Sequence, residues 1–79
     1  MTKFELANTI KILGVDSNEI QIDLELNDLF FNTIEWRPEE DKIILHYFED
    51  NIDYEFDYDD FGEDHQQMIY QMISQILLN

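Results

Sequence analysis

The chain contains no cysteine. That excludes disulfide staples and thiolate zinc sites, two common ways of stabilising a small fold. A reducing cytoplasm suits such a composition and is the expected location. Basic residues are nearly as scarce. Four lysines and arginines stand against nineteen aspartates and glutamates, for a net charge of −15. Phosphate contacts need lysine and arginine, so direct binding to DNA or RNA is not expected. An anionic membrane surface is disfavoured for the same reason. There are two glycines, and neither the phosphate-loop nor the dinucleotide-binding pattern occurs. No apolar run approaches the roughly 20 residues of a membrane span. The start, Met1 to Leu13, carries Glu5, Asn8 and Thr9 and is not expected to be a secretory signal.

What is present is enough for a core. Hydrophobic residues make up 44% and aromatics 14%, well above a disordered acidic tail. The expectation is one folded domain over residues 1–79.

Thr2 and Glu5 form a capping-box pattern. Leu6, Ile10 and Leu13 follow at helical spacing, with Phe4 and Ala7 nearby. Gly14 suits a left-handed stop, with Val15 supplying the apolar contact that accompanies one. A helix over residues 3–13 is expected. Glu19 to Leu26 alternates cleanly, with Ile20, Ile22, Leu24 and Leu26 on one side, as a half-buried strand does.

Asn27 and Asp28 mark a turn. In the second strand, within Leu29 to Arg37, Ile34 and Trp36 should face inward and Glu35 outward. A tight turn would also put Leu29 and Phe31 inward, and Glu35 with them, so a longer loop or a bulge is expected. Lys42 to Phe48 is apolar on both parities except at His46, as a central strand is. Ile43, Leu45 and Tyr47 are expected inward; Ile44, His46 and Phe48 then face the other way. Ile52, Tyr54, Phe56 and Tyr58 continue the inner face. A final helix over residues 63–78 carries the apolar stripe Met68, Ile69, Met72, Ile73, Ile76 and Leu77.

The order is α-β-β-β-β-α, an α+β fold. Short connections favour an antiparallel four-stranded sheet, with both helices packed on one face.

Catalytic and metal patterns do not emerge. Asp57 to Met68 partly resembles a calcium loop, with Asp57, Asp59 and Gly62 in place. Phe61 and Met68 occupy positions that need ligands, and a strand rather than a helix precedes it. His46 and His65 lack ligand spacing, and Ser17 and Ser74 have no triad context. No enzyme activity, metal or cofactor is expected.

The carboxylates remain to be explained. Strand parity puts Asp23, Glu25, Glu35, Asp53, Glu55 and Asp57 on the side away from the helices. Glu49 and Asp50 join them from a turn, and Asp59, Asp60, Glu63 and Asp64 from the start of the last helix. These form the expected partner-binding set. A solvated face normally mixes signs, and like charges across strands are destabilising. Alternate residues on one strand face lie about 6.7 Å apart, twice the rise per residue. Successive phosphates of a nucleic-acid strand have a comparable spacing. Carboxylates also accept the bidentate arginine contacts that phosphates accept.

In size, charge and helix–sheet–helix order the whole chain resembles the small acidic nucleic-acid mimics of bacteriophages and mobile elements. These include anti-CRISPR proteins, anti-restriction proteins and inhibitors of uracil-DNA glycosylase. The alternations Glu19–Leu26 and Ile52–Asp60 carry the resemblance. It implies a non-enzymatic inhibitor occupying the basic groove of a nuclease or bacterial defence complex, with a CRISPR effector as first target. A phage-encoded protein of this kind would act in the host bacterial cytoplasm. An immunity protein or antitoxin that neutralises one basic toxin shares the electrostatics and is the alternative. Either partner is a basic protein, and the sequence leaves monomer and dimer open.

Overall fold

The computed structural model describes residues 2–78. Helix α1 spans Lys3–Leu13. Strands β1 (Glu19–Leu26), β2 (Leu29–Arg37), β3 (Lys42–Glu49) and β4 (Ile52–Asp57) follow. A 3-10 turn at Tyr58–Asp60 leads into helix α2, Glu63–Leu78. The strands form one antiparallel sheet in the order β1-β2-β3-β4. Leu6, Ala7 and Ile10 of α1 and Ile69 and Ile73 of α2 share one core with the sheet residues of a single parity. The expected α+β arrangement with both helices on one face is therefore what forms.

The capping box closes the start of α1. The Glu5 amide donates to Thr2 Oγ1 at 3.2 Å, and the Thr2 amide donates to Glu5 Oε1 at 3.2 Å. A cap of this kind contributes about 1 kcal/mol. The far end of α1 departs from expectation. Gly14 has φ −103°, outside the left-handed region, and Val15 is 80% exposed and makes no apolar stop. Glycine is required there for closeness. A Cβ at Gly14 would stand 2.6 Å from the Glu19 carbonyl oxygen and 2.7 Å from its amide nitrogen.

Two tight hairpins set the sheet register. Asn27 and Asp28 both have positive φ, as do Asp50 and Asn51. Positive φ at both central residues is the type I′ geometry, whose twist matches that of paired strands. Leu26 pairs with Leu29 and Glu49 with Ile52, so each loop is two residues long.

A tight first turn does place Leu29 and Phe31 inward. The register between β2 and β3 then shifts between Phe31 and Thr33, and Ile34 and Trp36 also come to face the helices. The bulge reconciles the turn with the inward Ile34, and it sends Glu35 outward. β1 has its own irregularity between Gln21 and Leu24.

The helices cover the sheet unevenly. They pack chiefly on β1 and β2. Over β3 and β4 the inner layer is aromatic. Phe31 lies edge-on to Phe56, Phe61 and Tyr47, with centroids 5.3, 5.9 and 6.4 Å away. Beyond that cluster Ile52 and Tyr54, expected in the core, remain 50% and 42% exposed, because neither helix reaches them. The α2 stripe is also narrower than expected. Ile69 and Ile73 are fully buried, Met72 and Ile76 pack against the core, and Met68 and Leu77 are exposed.

Candidate functional site

The face of the sheet turned away from the helices is organised in rows by the strand register. At one end Arg37 pairs with Lys42. The next row runs Glu19, Glu35, Ile44, Asp57 across all four strands. Gln21, Thr33, His46 and Glu55 form the row after it. Carboxylates come from β1, β2 and β4, while β3 presents Ile44, His46 and Phe48, as its parity predicts. Ile44 and His46 are nonetheless buried, at 5% and 8% exposure.

His46 is held by the acids around it. Its Nδ1 lies 2.9 Å from Asp53 Oδ1 and 3.0 Å from Asp53 Oδ2, and its Nε2 lies 2.9 Å from Glu35 Oε1. Ionised carboxylates only accept hydrogen bonds, so an ionised acid on each ring nitrogen favours the imidazolium, in which both nitrogens donate. Burial opposes that charge. The hydrogen bonds to Asp53 and Glu35, and the charges of both, outweigh it and raise the pKa above the usual histidine value.

Arg37 extends the network. Nε donates to Glu35 Oε1 at 3.1 Å, one terminal nitrogen donates to Glu55 Oε2 at 2.6 Å, and the other lies 3.7 Å from Glu40. A chain of ionic contacts therefore runs Asp53–His46–Glu35–Arg37–Glu55. Glu19 and Glu35 face each other directly across β1 and β2, which is unfavourable for like charges. The imidazolium and guanidinium on Glu35 offset that repulsion.

The expected partner-binding acids thus divide by position. Glu35, Asp53 and Glu55 lie on the outer face and are engaged by His46 or Arg37. Glu25 and Asp57 lie on the same face; Asp57 also accepts from the Asp59 amide at 2.9 Å and so caps the 3-10 turn. Asp23 is exposed at the β1 irregularity, beside a depression it shares with Met72, Gln75 and Ile76 of α2. The rest sit elsewhere. Glu49 shares the parity of Tyr47 and accepts a hydrogen bond from its hydroxyl, which pushes the Tyr47 pKa up to about 12. Asp50 is in the hairpin turn. Asp59 pairs with Lys3 of α1 at 2.8 Å, and that hydrogen bond raises the lysine pKa. Asp60 is exposed in the 3-10 turn, and Glu63 and Asp64 occupy the first turn of α2, in the helix layer.

Among the described residues, two sets of ligand atoms lie close enough together to surround a cation: Glu19, Glu35 and His46, and His46, Asp53 and Glu55. A cation would have to displace the proton on one His46 nitrogen, with the carboxylates beside it as fellow ligands.

Sequence reasoning missed three residues of this face, the first being Glu19, which pairs with Glu35 at the start of β1. Arg37 joins three acids, and its spacing of two from Glu35 was the available signal. Phe30 is 59% exposed, much like Phe48 at 55%, and the bulge that follows Phe31 obscured its outward parity.

No protein-family model, no curated protein and no solved structure matches this chain.

Proposed function

We propose that this protein is a non-enzymatic inhibitor that acts as a nucleic-acid mimic. It occupies the basic nucleic-acid-binding groove of a nuclease or bacterial defence complex, a CRISPR effector being the first candidate. The observation that carries this reading is the outer sheet face. Glu19, Glu25, Glu35, Asp53, Glu55 and Asp57 stand on it in register, from β1, β2 and β4, flanking Ile44, His46 and Phe48 of β3. Along β4 the acids recur every about 6.7 Å, a phosphate-like interval. His46 and Arg37 hold the central acids at fixed positions, so less side-chain freedom is lost on docking. The strong negative field would steer association with a basic groove.

A second reading, an immunity protein or antitoxin against one basic toxin, draws on Phe30 and Phe48. Exposed aromatic side chains amid charge favour a single dedicated surface over a general duplex groove.

The test immobilises the protein and passes bacterial lysate over it, with and without competing duplex DNA. A nucleic-acid-binding protein that is retained, and released by DNA, is the expected result. A second column carries Asp23→Asn, Glu25→Gln, Asp53→Asn, Glu55→Gln and Asp57→Asn, which keep shape and remove charge. It should retain nothing. Equal retention by both columns would sink the mimic reading, and a complex indifferent to DNA would favour the toxin antagonist.

A further inference from the structure

One row of the outer face differs from the others. Glu25 pairs with Phe30 across β1 and β2, and Phe48 pairs with Asp53 across β3 and β4. Phe30 and Phe48 each follow directly on the Phe31–Tyr47 pair, on the side away from the register shift, so continuing that antiparallel register by one step brings their positions together on the outer face. The order across the sheet is Glu25, Phe30, Phe48, Asp53. Two phenylalanine rings, each more than half exposed, stand between two carboxylates.

A lone exposed phenylalanine is unremarkable. Two exposed phenylalanines on adjoining strands, with an acid on each outer flank, have a defined chemical complement. A guanidinium is planar and weakly hydrated, stacks on aromatic faces and donates two parallel hydrogen bonds to a carboxylate. A lysine ammonium is compact and strongly hydrated, and gains less from the rings. A nucleobase could stack there as well, but its phosphates would meet Glu25, Asp53 and the acids of the neighbouring rows. Asp53 is already oriented by His46, whose Nδ1 lies 2.9 Å from Oδ1. The same nitrogen lies 3.0 Å from Oδ2, so the inner edge of the Asp53 carboxylate is taken and its outer lone pairs offer single contacts, which leaves the forked contact to Glu25.

We infer that Glu25, Phe30, Phe48 and Asp53 form an arginine-binding plate, on which an arginine of a basic partner protein docks. The inference rests on the reading that the acidic face meets a basic protein, and it adds what that partner must present. Charge attracts lysine and arginine alike; the plate selects arginine.

The experiment titrates isotope-labelled protein with nona-arginine and, separately, nona-lysine at physiological salt, followed by NMR. Both peptides should shift resonances of the acidic face. Nona-arginine should bind about two- to fivefold tighter, the margin of exposed cation–π contacts, and should alone move the Phe30 and Phe48 ring signals. The Phe30→Ser/Phe48→Ser variant should erase the difference and leave nona-lysine binding as it was. Both rings are exposed, so the variant should fold, and its amide spectrum would verify that. Equal affinities for the two peptides, or an arginine preference that survives in the variant, would overturn the plate and leave the acidic-face reading standing. Failure of both peptides to bind would overturn both. Tighter binding of single-stranded oligothymidylate than of nona-arginine would also overturn the plate.

Discussion

His46 Nδ1 lies 2.9 Å from Asp53 Oδ1, across the β3–β4 ladder, in a ring environment that is nine-tenths buried. With Glu35 on the opposite nitrogen, the charged imidazole ties β2, β3 and β4 together on the outer face.

The folded pKa of His46 is raised, so its contribution to stability has a definite sign with pH. It is fully present below the unfolded value of about 6.5 and is lost as pH rises through the higher folded value. The denaturant midpoint of the native protein, compared with that of His46→Gln, should show a gap below about pH 6 that narrows in alkaline solution. The His46 Hε1 resonance should titrate above the usual histidine range. A gap that widens with pH would contradict the assignment.

Arg37 engages Glu35 and Glu55 directly. Arg37→Gln should destabilise the fold by about 1–3 kcal/mol, because charged hydrogen bonds are lost and the acids repel. Arg37→Lys should recover only part of this, since an ammonium cannot make the forked contact. Urea unfolding of the two variants measures both effects.

The two glycines should respond oppositely to alanine. At Gly14 the new methyl meets backbone atoms of Glu19 at 2.6 and 2.7 Å, which cannot swing aside. A loss of about 1–3 kcal/mol is expected, as for other overpacked sites. At Gly62 nothing lies within 4 Å and φ is not positive, so Gly62→Ala should be neutral or stabilise by up to about 1 kcal/mol. Thermal melts of the pair decide it.

The hairpin turns offer the reverse experiment. Asp28 and Asn51 occupy the second central positions of type I′ turns, with φ of 66° and 64°. Glycine is the favoured residue there, so Asp28→Gly and Asn51→Gly should each stabilise by about 0.5–1 kcal/mol. A decrease in melting temperature for both would mean the turns have another geometry.

Much of this architecture was legible because local signals agreed. Thr2 and Glu5 mark the start of α1, and the alternation from Ile20 to Leu26 needs no partner to be recognised. The outward parity of Ile44, His46 and Phe48 followed from β3 alone. Legibility failed where a residue's role is set by a distant segment. The side of the sheet that Phe30 joins depends on a bulge that comes after it. Gly14 is glycine because Glu19 folds back on it, not because of its own φ. Lys3 finds Asp59, 56 residues away, and only the closed fold brings them together. The acids divided for the same reason: which are engaged and which stand free is decided by the strand register, and composition says nothing about it.

The meander closes on nothing, so β1 and β4 each leave a row of backbone groups without a strand beside them. Two copies meeting along β4 would bring Asp53, Glu55 and Asp57 of one against the same residues of the other. At neutral pH that encounter is repulsive, and the border polices itself. Acidification toward the isoelectric point, near 4.1 from the composition, removes this guard, and the edge beside the uncovered Ile52 and Tyr54 is then where association is expected to begin.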